Sequence, residues 1–235
     1  MSVLALETTT SSREPLRPGG FDLTIRALEF CNPAPGSQIL DIGCGSGASL
    51  AILTKNGFDP HGLDISRFQV EQSRGSCRNL LQSDGRSIPF HDAFFDLVLL
   101  ECTLSVIENP EIVLSEIHRV LKPDGRLIFS DIYARNAISI DPLKASMSES
   151  AIRSIWSEAE IENLMINHSL KILLKEDCSH FLRKNMISQQ DQVSNSKYYG
   201  IYCFQPRASV DALGFFLLLS KARMGYLLLI ARKTV

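Results

Sequence analysis

The stretch ILDIGCGSGASLAIL, beginning at residue 39, restricts the possible folds of this chain more than any other. QILDI reads as a short buried strand, Gly43, Gly45 and Gly47 follow it, and a run of apolar residues at helical spacing comes next. A strand that turns sharply on glycines into a helix opens a βαβ unit, because the missing Cβ atoms allow a tight bend and a close approach of ligand to main chain. Gly43, Gly45 and Ala48 also satisfy the G-x-G-x-x-A form of the dinucleotide fingerprint, so the bend by itself admits NAD or FAD.

The same rhythm continues downstream. SGASLAILTKNG predicts a helix ending at Gly57, DPHGLDIS a second strand, RFQVEQSRG a second helix, NLLQSD a third strand and FFDLVLLEC a buried fourth. NPEIVLSEIHRVLKPDG predicts a helix closed by a Pro-Asp-Gly turn, and RLIFSDIY a fifth strand. Strands and helices alternating in this way imply a parallel sheet covered on both faces, a Rossmann-like doubly wound α/β fold. SEAEIENLMINH then predicts an amphipathic helix, LKILLKED a sixth strand, and GYLLLIARK at 225–233 a seventh. Upstream, Phe21, Ile25, Leu28 and Phe30 fall at helical spacing and predict a helix over 21–31 with those residues inward.

With 235 residues, 45% of them hydrophobic and 21% charged, the chain is expected to form one domain spanning 1–235. Residues 1–20 are expected to be a flexible N-terminal arm, and 134–224 a less regular region shaping an acceptor pocket, with a helix starting near Cys178. The net charge is −2 and the 24 basic residues are scattered, which argues against a nucleic-acid partner. The six cysteines form no CxxC pair, so metal is not expected and reduced thiols in the cytoplasm are. No secretory signal is read, and the most apolar run, LGFFLLLS, is too short to span a bilayer, so no membrane partner is expected. A monomer or homodimer is expected.

Acids at strand ends carry the chemical signal. Asp41 stands two residues before Gly43, where a dinucleotide would place its pyrophosphate, and like charges there repel. S-adenosylmethionine (SAM) has no phosphate but carries an ammonium and a sulfonium, which an acid at that point attracts. Asp64, ending the second strand 17 residues after Gly47, is placed to accept both hydroxyls of a ribose, with an N-cap for the next helix as its competing role. Asp84 follows the third strand, where it can accept from an adenine amino group or serve the Asp84-Gly85 turn.

DIGCGSG, the acid of GLDIS, the SDGRSIPFHDAFFDLV stretch and the EIHRVLKPDGRLIFSDI block, in that order and spacing, resemble a class I SAM-dependent methyltransferase of the methyltransferase-11 type over residues 36–133. GYLLLIARK is similar to that family's last, antiparallel strand, which implies a mostly parallel seven-stranded sheet. The resemblance implies that Asp41, Gly43, Gly45, Asp64 and Asp84 contact SAM, with the main chain near Gly85 and Arg86 flanking the adenine. Cys44, Gly47 and Ile65 complete the expected cofactor site.

The chain departs from the family pattern in LLECTLSVIENP, which puts Glu101, Cys102 and Thr103 at the methionine end of the cofactor. A buried Glu101 without a cationic partner would be costly, so it is expected to meet the SAM ammonium; Cys102 reads either as a reactive thiol or as a small buried hydrophobe. Arg17 is expected to meet the SAM carboxylate or to be solvated. Thr103, Asp131, Tyr133, Asp177 and His180, all at strand ends, are candidates for acceptor contact, with no catalytic base assigned. The expected reaction is methyl transfer from SAM to a small molecule, leaving S-adenosylhomocysteine; a non-catalytic SAM-binding module and a nicotinamide-dependent oxidoreductase are the alternatives.

Overall fold

β1 (Gln38–Ile42) lies between β2 (Asp59–Asp64) and β4 (Phe95–Glu101), parallel to both. In the computed structural model, which describes residues 17–140, 152–182 and 220–234, the remaining strands are β3 (Asn79–Gln82), β5 (Leu121–Ala134), β6 (Leu170–Asp177) and β7 (Met224–Lys233). They form a seven-stranded sheet of order β3-β2-β1-β4-β5-β7-β6, with β7 antiparallel to both neighbours. The doubly wound sheet with its antiparallel last strand is the one the sequence predicts. The strand order reverses between β1 and β4, and such a reversal opens a crevice at the carboxyl ends of the strands.

The helices are α1 (Gly20–Cys31), α2 (Ala48–Lys55), α3 (Arg67–Gln72), α4 (Pro110–Val120) and α5 (Glu158–Asn167). They cover two faces, because alternate residues of each central strand point opposite ways. Ile39, Leu97, Leu99, Ile128 and Leu228 pack with Leu23, Ala27 and Leu28 of α1, whereas Leu40, Val98, Leu100, Phe129 and Leu229 pack with Val113, Leu114 and Ile117 of α4 and Ile161 and Met165 of α5. Truncating one such fully buried leucine to alanine costs about 2–5 kcal/mol. α5 starts on a complete capping box, Ser157 and Glu160 each bonding the other's main chain, as its sequence demands. No described helix is long and apolar enough to cross a membrane.

Two local expectations are corrected. The buried face of α1 is Leu23, Thr24, Ala27, Leu28 and Cys31, while Phe30 is 45% exposed and Phe21 and Ile25 are half-buried. A polar residue in that stripe shifts it by one to two positions, since Thr24 has a buried partner of its own. α4 ends at Val120, not at the Pro-Asp-Gly turn: Leu121 already pairs with Phe95, and the ladder resumes at Leu97 and Arg126 with 122–125 looped out between. A helical turn does begin at 179, and the rest of the stretch from 183 to 219 lies outside the described residues, as do 141–151.

Candidate functional site

The bend after β1 is held from both ends. Gly43 and Cys44 donate their backbone N–H groups to the Leu63 carbonyl at 2.7 and 3.0 Å, and Gly45 N–H donates to Asp64 Oδ2 at 2.9 Å. Gly43 has φ 75°, and a Cβ there would come within 2.5 Å of Thr103 Oγ1, so only glycine lets the bend meet the exit of β4. Gly47, at φ 80°, would likewise drive a Cβ to 2.7 Å from Ser76 Oγ. Ser73 Oγ closes the far side by donating to the Gly45 carbonyl at 2.5 Å. Cys44 is buried under this turn, and burial pushes its thiol well above its usual range.

Asp64 does not cap α3; Ser66 does, accepting from Gln69 N–H. The Asp64 carboxylate instead accepts from Gly45 N–H and, at 2.8 Å, from Ser66 N–H, so it braces the bend while remaining half-buried. Ile65 beside it is 68% exposed, an apolar side chain standing free at the crevice. Asp84 is paired with Arg86 at 2.5 Å and also accepts from Arg86 N–H at 3.0 Å; the Arg86 hydrogen bonds hold its carboxyl below the usual range. Gly85 brings this turn against β1, where a Cβ would sit 3.1 Å from Ile42.

Strand register gathers the acids. Asp41 pairs laterally with Gly62 on β2 and Leu99 on β4. Laterally paired residues share a face and the face repeats every second residue, so Asp41, Asp64 and Glu101 all project toward the α1 side. Glu101 and Asp41 are buried, at 7% and 4% exposure.

The structure corrects the premise about Glu101, because its cation comes from the chain itself. Arg17 Nη2 lies 2.9 Å from Glu101 Oε2, and also reaches Thr24 Oγ1 at 2.5 Å and Ser49 Oγ at 3.0 Å. Thr24 in turn donates to Glu101 Oε1 at 2.8 Å and Ser49 to Oε2 at 3.2 Å. Arg17 is thus neither solvated nor part of a free arm; residues 1–16 lie outside the described ones. Its Nε–H is buried and has no hydrogen-bond partner among the described residues. Thr24 and Ser49 are absent from the sequence expectations, since nothing near either one announces a partner on β4.

Asp41 shares this pocket. Burial, reinforced by the neighbouring Glu101 charge and only partly opposed by Arg17, pushes its carboxyl up to about 7.

Past Glu101 the chain turns through Cys102, which takes the left-handed φ of 51°. Its Sγ lies 3.0 Å from Tyr226 Oη, and that hydroxyl donates to Ser130 Oγ at 3.1 Å. Thr103 donates to the Glu101 carbonyl at 2.9 Å. Of the other acceptor candidates, Tyr133 and Asp177 meet through Arg135, while Asp131 and His180 lie apart from them. Asp131 projects to the opposite face of β5, accepting from Ser105 N–H at 2.9 Å and Ile132 N–H at 2.8 Å, with burial pushing it up to about 6. Tyr133 packs on that same opposite side, its hydroxyl accepting from Arg135. Asp177 is ion-paired to Arg135 and accepts from Ser179, and against the pull of burial these bonds bring it down to about 2. His180 is exposed, its ring against Phe181. Asp131 and His180 therefore serve a loop anchor and a surface contact in this structure, not a shared reactive centre with Thr103.

Residues 40–129 match the family described as "Methyltransferase domain". The O-methyltransferase cnsE of Penicillium expansum is 28% identical over 183 residues, which are 74% of this chain and 66% of that protein. A demethylmenaquinone methyltransferase of Tropheryma whipplei (strain Twist) is 34% identical over 106 residues, 43% of this chain and 44% of that protein. The chain spans from 44% to 66% of the length of the first such relatives. Among solved structures, the cyclase SpnF is 25% identical with a TM-score of 0.68, covering 91% of this chain and 81% of that one. Haemonchus contortus phosphoethanolamine N-methyltransferase 2, solved with S-adenosyl-L-methionine, has a TM-score of 0.70 at 17% identity and covers 95% of this chain and 55% of that one.

Proposed function

We propose that the chain, whose residues 40–129 match a methyltransferase domain, is a class I SAM-dependent enzyme that transfers a methyl group from SAM to a small-molecule acceptor. The observation that carries this reading is the row of acids Asp41, Asp64 and Glu101 on one face of three adjacent strand tips, around a bend that a Cβ at Gly43 would fill. A phosphate-bearing dinucleotide gains no attraction from this row of acids, whereas a sulfonium nucleoside meets charge of the opposite sign.

The residues present fit SAM. Asp41 supplies negative charge for its ammonium end, and the buried, unpartnered Nε–H of Arg17, held by Glu101, supplies a donor for its carboxylate. Asp64, anchored by two backbone N–H groups, keeps lone pairs for ribose hydroxyls. Ile65 offers an exposed apolar surface to the base. Asp84, Gly85 and Arg86 form its far wall, and Cys44, Gly45, Gly47 and Cys102 line the turns between. When bound, SAM brings a methyl group already attached to a good leaving group. The protein's task is to hold the acceptor in line with that group and to keep water out, and the paired, buried side chains around Glu101 are preorganised for it.

The small-molecule acceptor is supported by the name of one relative, a demethylmenaquinone methyltransferase. Calorimetric titration with SAM and NADH tests the cofactor, and release of S-adenosylhomocysteine on incubation with candidate acceptors tests the transfer. Binding of NADH and not SAM rejects the proposal. A second reading, a SAM-binding protein without methyl transfer, is favoured by the likeness to SpnF, a solved protein named a cyclase; SAM binding with no S-adenosylhomocysteine released across a broad acceptor set would select it.

A further inference from the structure

The acids of the cleft outnumber its cation, and their hydrogen bonds are unequally shared. The Glu101 carboxylate accepts from Arg17, Thr24 and Ser49. Asp64 accepts from two backbone N–H groups on the exposed side of the bend. Asp41 is 4% exposed and lies between them, facing Glu101 from β4, Asp64 from β2, Arg17 from the segment ahead of α1, and the thiols of Cys44 and Cys77 from the turns. Arg17, the cation among these groups, is committed to Glu101. When like charges share a poorly solvated site with too little positive charge to balance them, one group keeps its proton, and the most buried and least compensated carboxylate is the one that does.

Building on the functional reading above, we propose that Asp41 is a proton-exchanging specificity residue: protonated in the ligand-free protein, it gives its proton to solvent when the cationic methyl donor binds. In that exchange the carboxyl O–H bond breaks, its electron pair remains on oxygen, the proton passes to buffer, and the donor's positive charge takes its place beside the carboxylate. Donor and proton compete for one group. The rise of the Asp41 carboxyl to about 7, caused by burial first and by Glu101 second, places the competition near neutrality.

The exchange has a readout that needs no acceptor and no turnover. Titration of the full chain with SAM in buffers of different protonation enthalpy counts the protons released. About one proton per SAM is expected near pH 6, fading toward zero above about pH 8, with the Kd rising about tenfold per unit of pH below about 7. Asp41→Asn, checked for native circular dichroism, is expected to lose that release, and it subtracts any proton the ligand itself gives up. S-adenosylhomocysteine keeps the ammonium but lacks the sulfonium. An equal release with it assigns the exchange to the ammonium, none assigns it to the sulfur, and both support the proposal. SAM binding without proton release over this range, or a release unchanged in Asp41→Asn, overturns it. A protein that binds no SAM in any buffer fails the methyltransferase reading first and takes this inference with it.

Discussion

Arg17 and Glu101 form a buried ion pair, 2.9 Å between Nη2 and Oε2, that fastens the segment ahead of α1 to the tip of β4. The Glu101 side chain is 3% exposed and that of Arg17 13%, so neither charge can fall back on water when the other is removed. Arg17→Met is therefore expected to cost about 3–5 kcal/mol of folding stability, and the double variant Arg17→Met/Glu101→Leu much less, because the large term is the stranded charge rather than the pair. Urea unfolding of the two single variants and the double variant checks this. Additive losses would mean that the pair is not coupled.

Gly43 faces Thr103 at a distance no side chain can share, with Oγ1 at 2.5 Å and Cγ2 at 2.6 Å from an added Cβ. Gly43→Ala is expected to weaken SAM binding at least about tenfold by pushing the bend off β4, which in free energy is about 1.4 kcal/mol. Thr103→Ala removes both of those atoms and is expected to restore part of the loss in the double variant. A Gly43→Ala protein with unchanged SAM affinity would count against the bend as the binding element.

Asp64→Ala removes the acceptor for two backbone N–H groups and the proposed ribose contact at once. The expected result is a native fold, about 1–3 kcal/mol less stable, with SAM affinity down by at least about tenfold. Asp64→Asn keeps an acceptor for the bend and is expected to recover stability more than affinity. Equal recovery of both would show that the residue acts on the bend alone.

Asp131 and Asp177 are expected to shape acid stability with opposite signs. Asp131 is raised to about 6 by burial, so its folded form holds a proton more tightly than the unfolded chain does. The stability it contributes is complete below its unfolded pKa of about 3.9 and is lost as pH rises through about 6. Asp177, lowered to about 2 by Arg135 and Ser179 against the effect of burial, contributes stability above about 3.9 that is lost as pH falls toward 2. Relative to Asp131→Asn, the parent protein should lose advantage between about pH 4 and pH 6.5; relative to Asp177→Asn, it should gain advantage from about pH 2 to pH 5. Denaturant midpoints across that range, read against each variant, test both signs.

What the sequence discloses of the site depends on how far apart the interacting residues lie. The bend at Gly43 to Gly47 and the acid at Asp64 are legible because one βα turn and one following strand contain both, and the 17-residue step between Gly47 and Asp64 leaves little room for other arrangements. Glu101 is legible as an unusual acid but not as a paired one, since its cation is 84 residues upstream (101 − 17) at Arg17. Thr24 defeats apolar periodicity for the same reason: its place on the buried face of α1 is justified by Glu101, 77 residues away. Asp131 and Tyr133 occupy strand-end positions as expected, yet the parity of β5 turns both away from the acids while Ser130 turns toward them. His180 carries no sequence sign of burial or exposure, and it lies at the surface.

The place of β7 constrains how the molecule is made. It is inserted between β5 and β6, paired with β5 at nine positions from Arg126 to Ala134, although the chain reaches it last of the three. During vectorial synthesis β5 and β6 emerge without the neighbour that joins them, and each presents an unpaired backbone edge until Met224–Lys233 leaves the ribosome. Completion of the sheet is consequently a late, cooperative event, and a translational pause or a nonsense codon ahead of residue 224 would strand a sticky, half-built sheet instead of a smaller working protein.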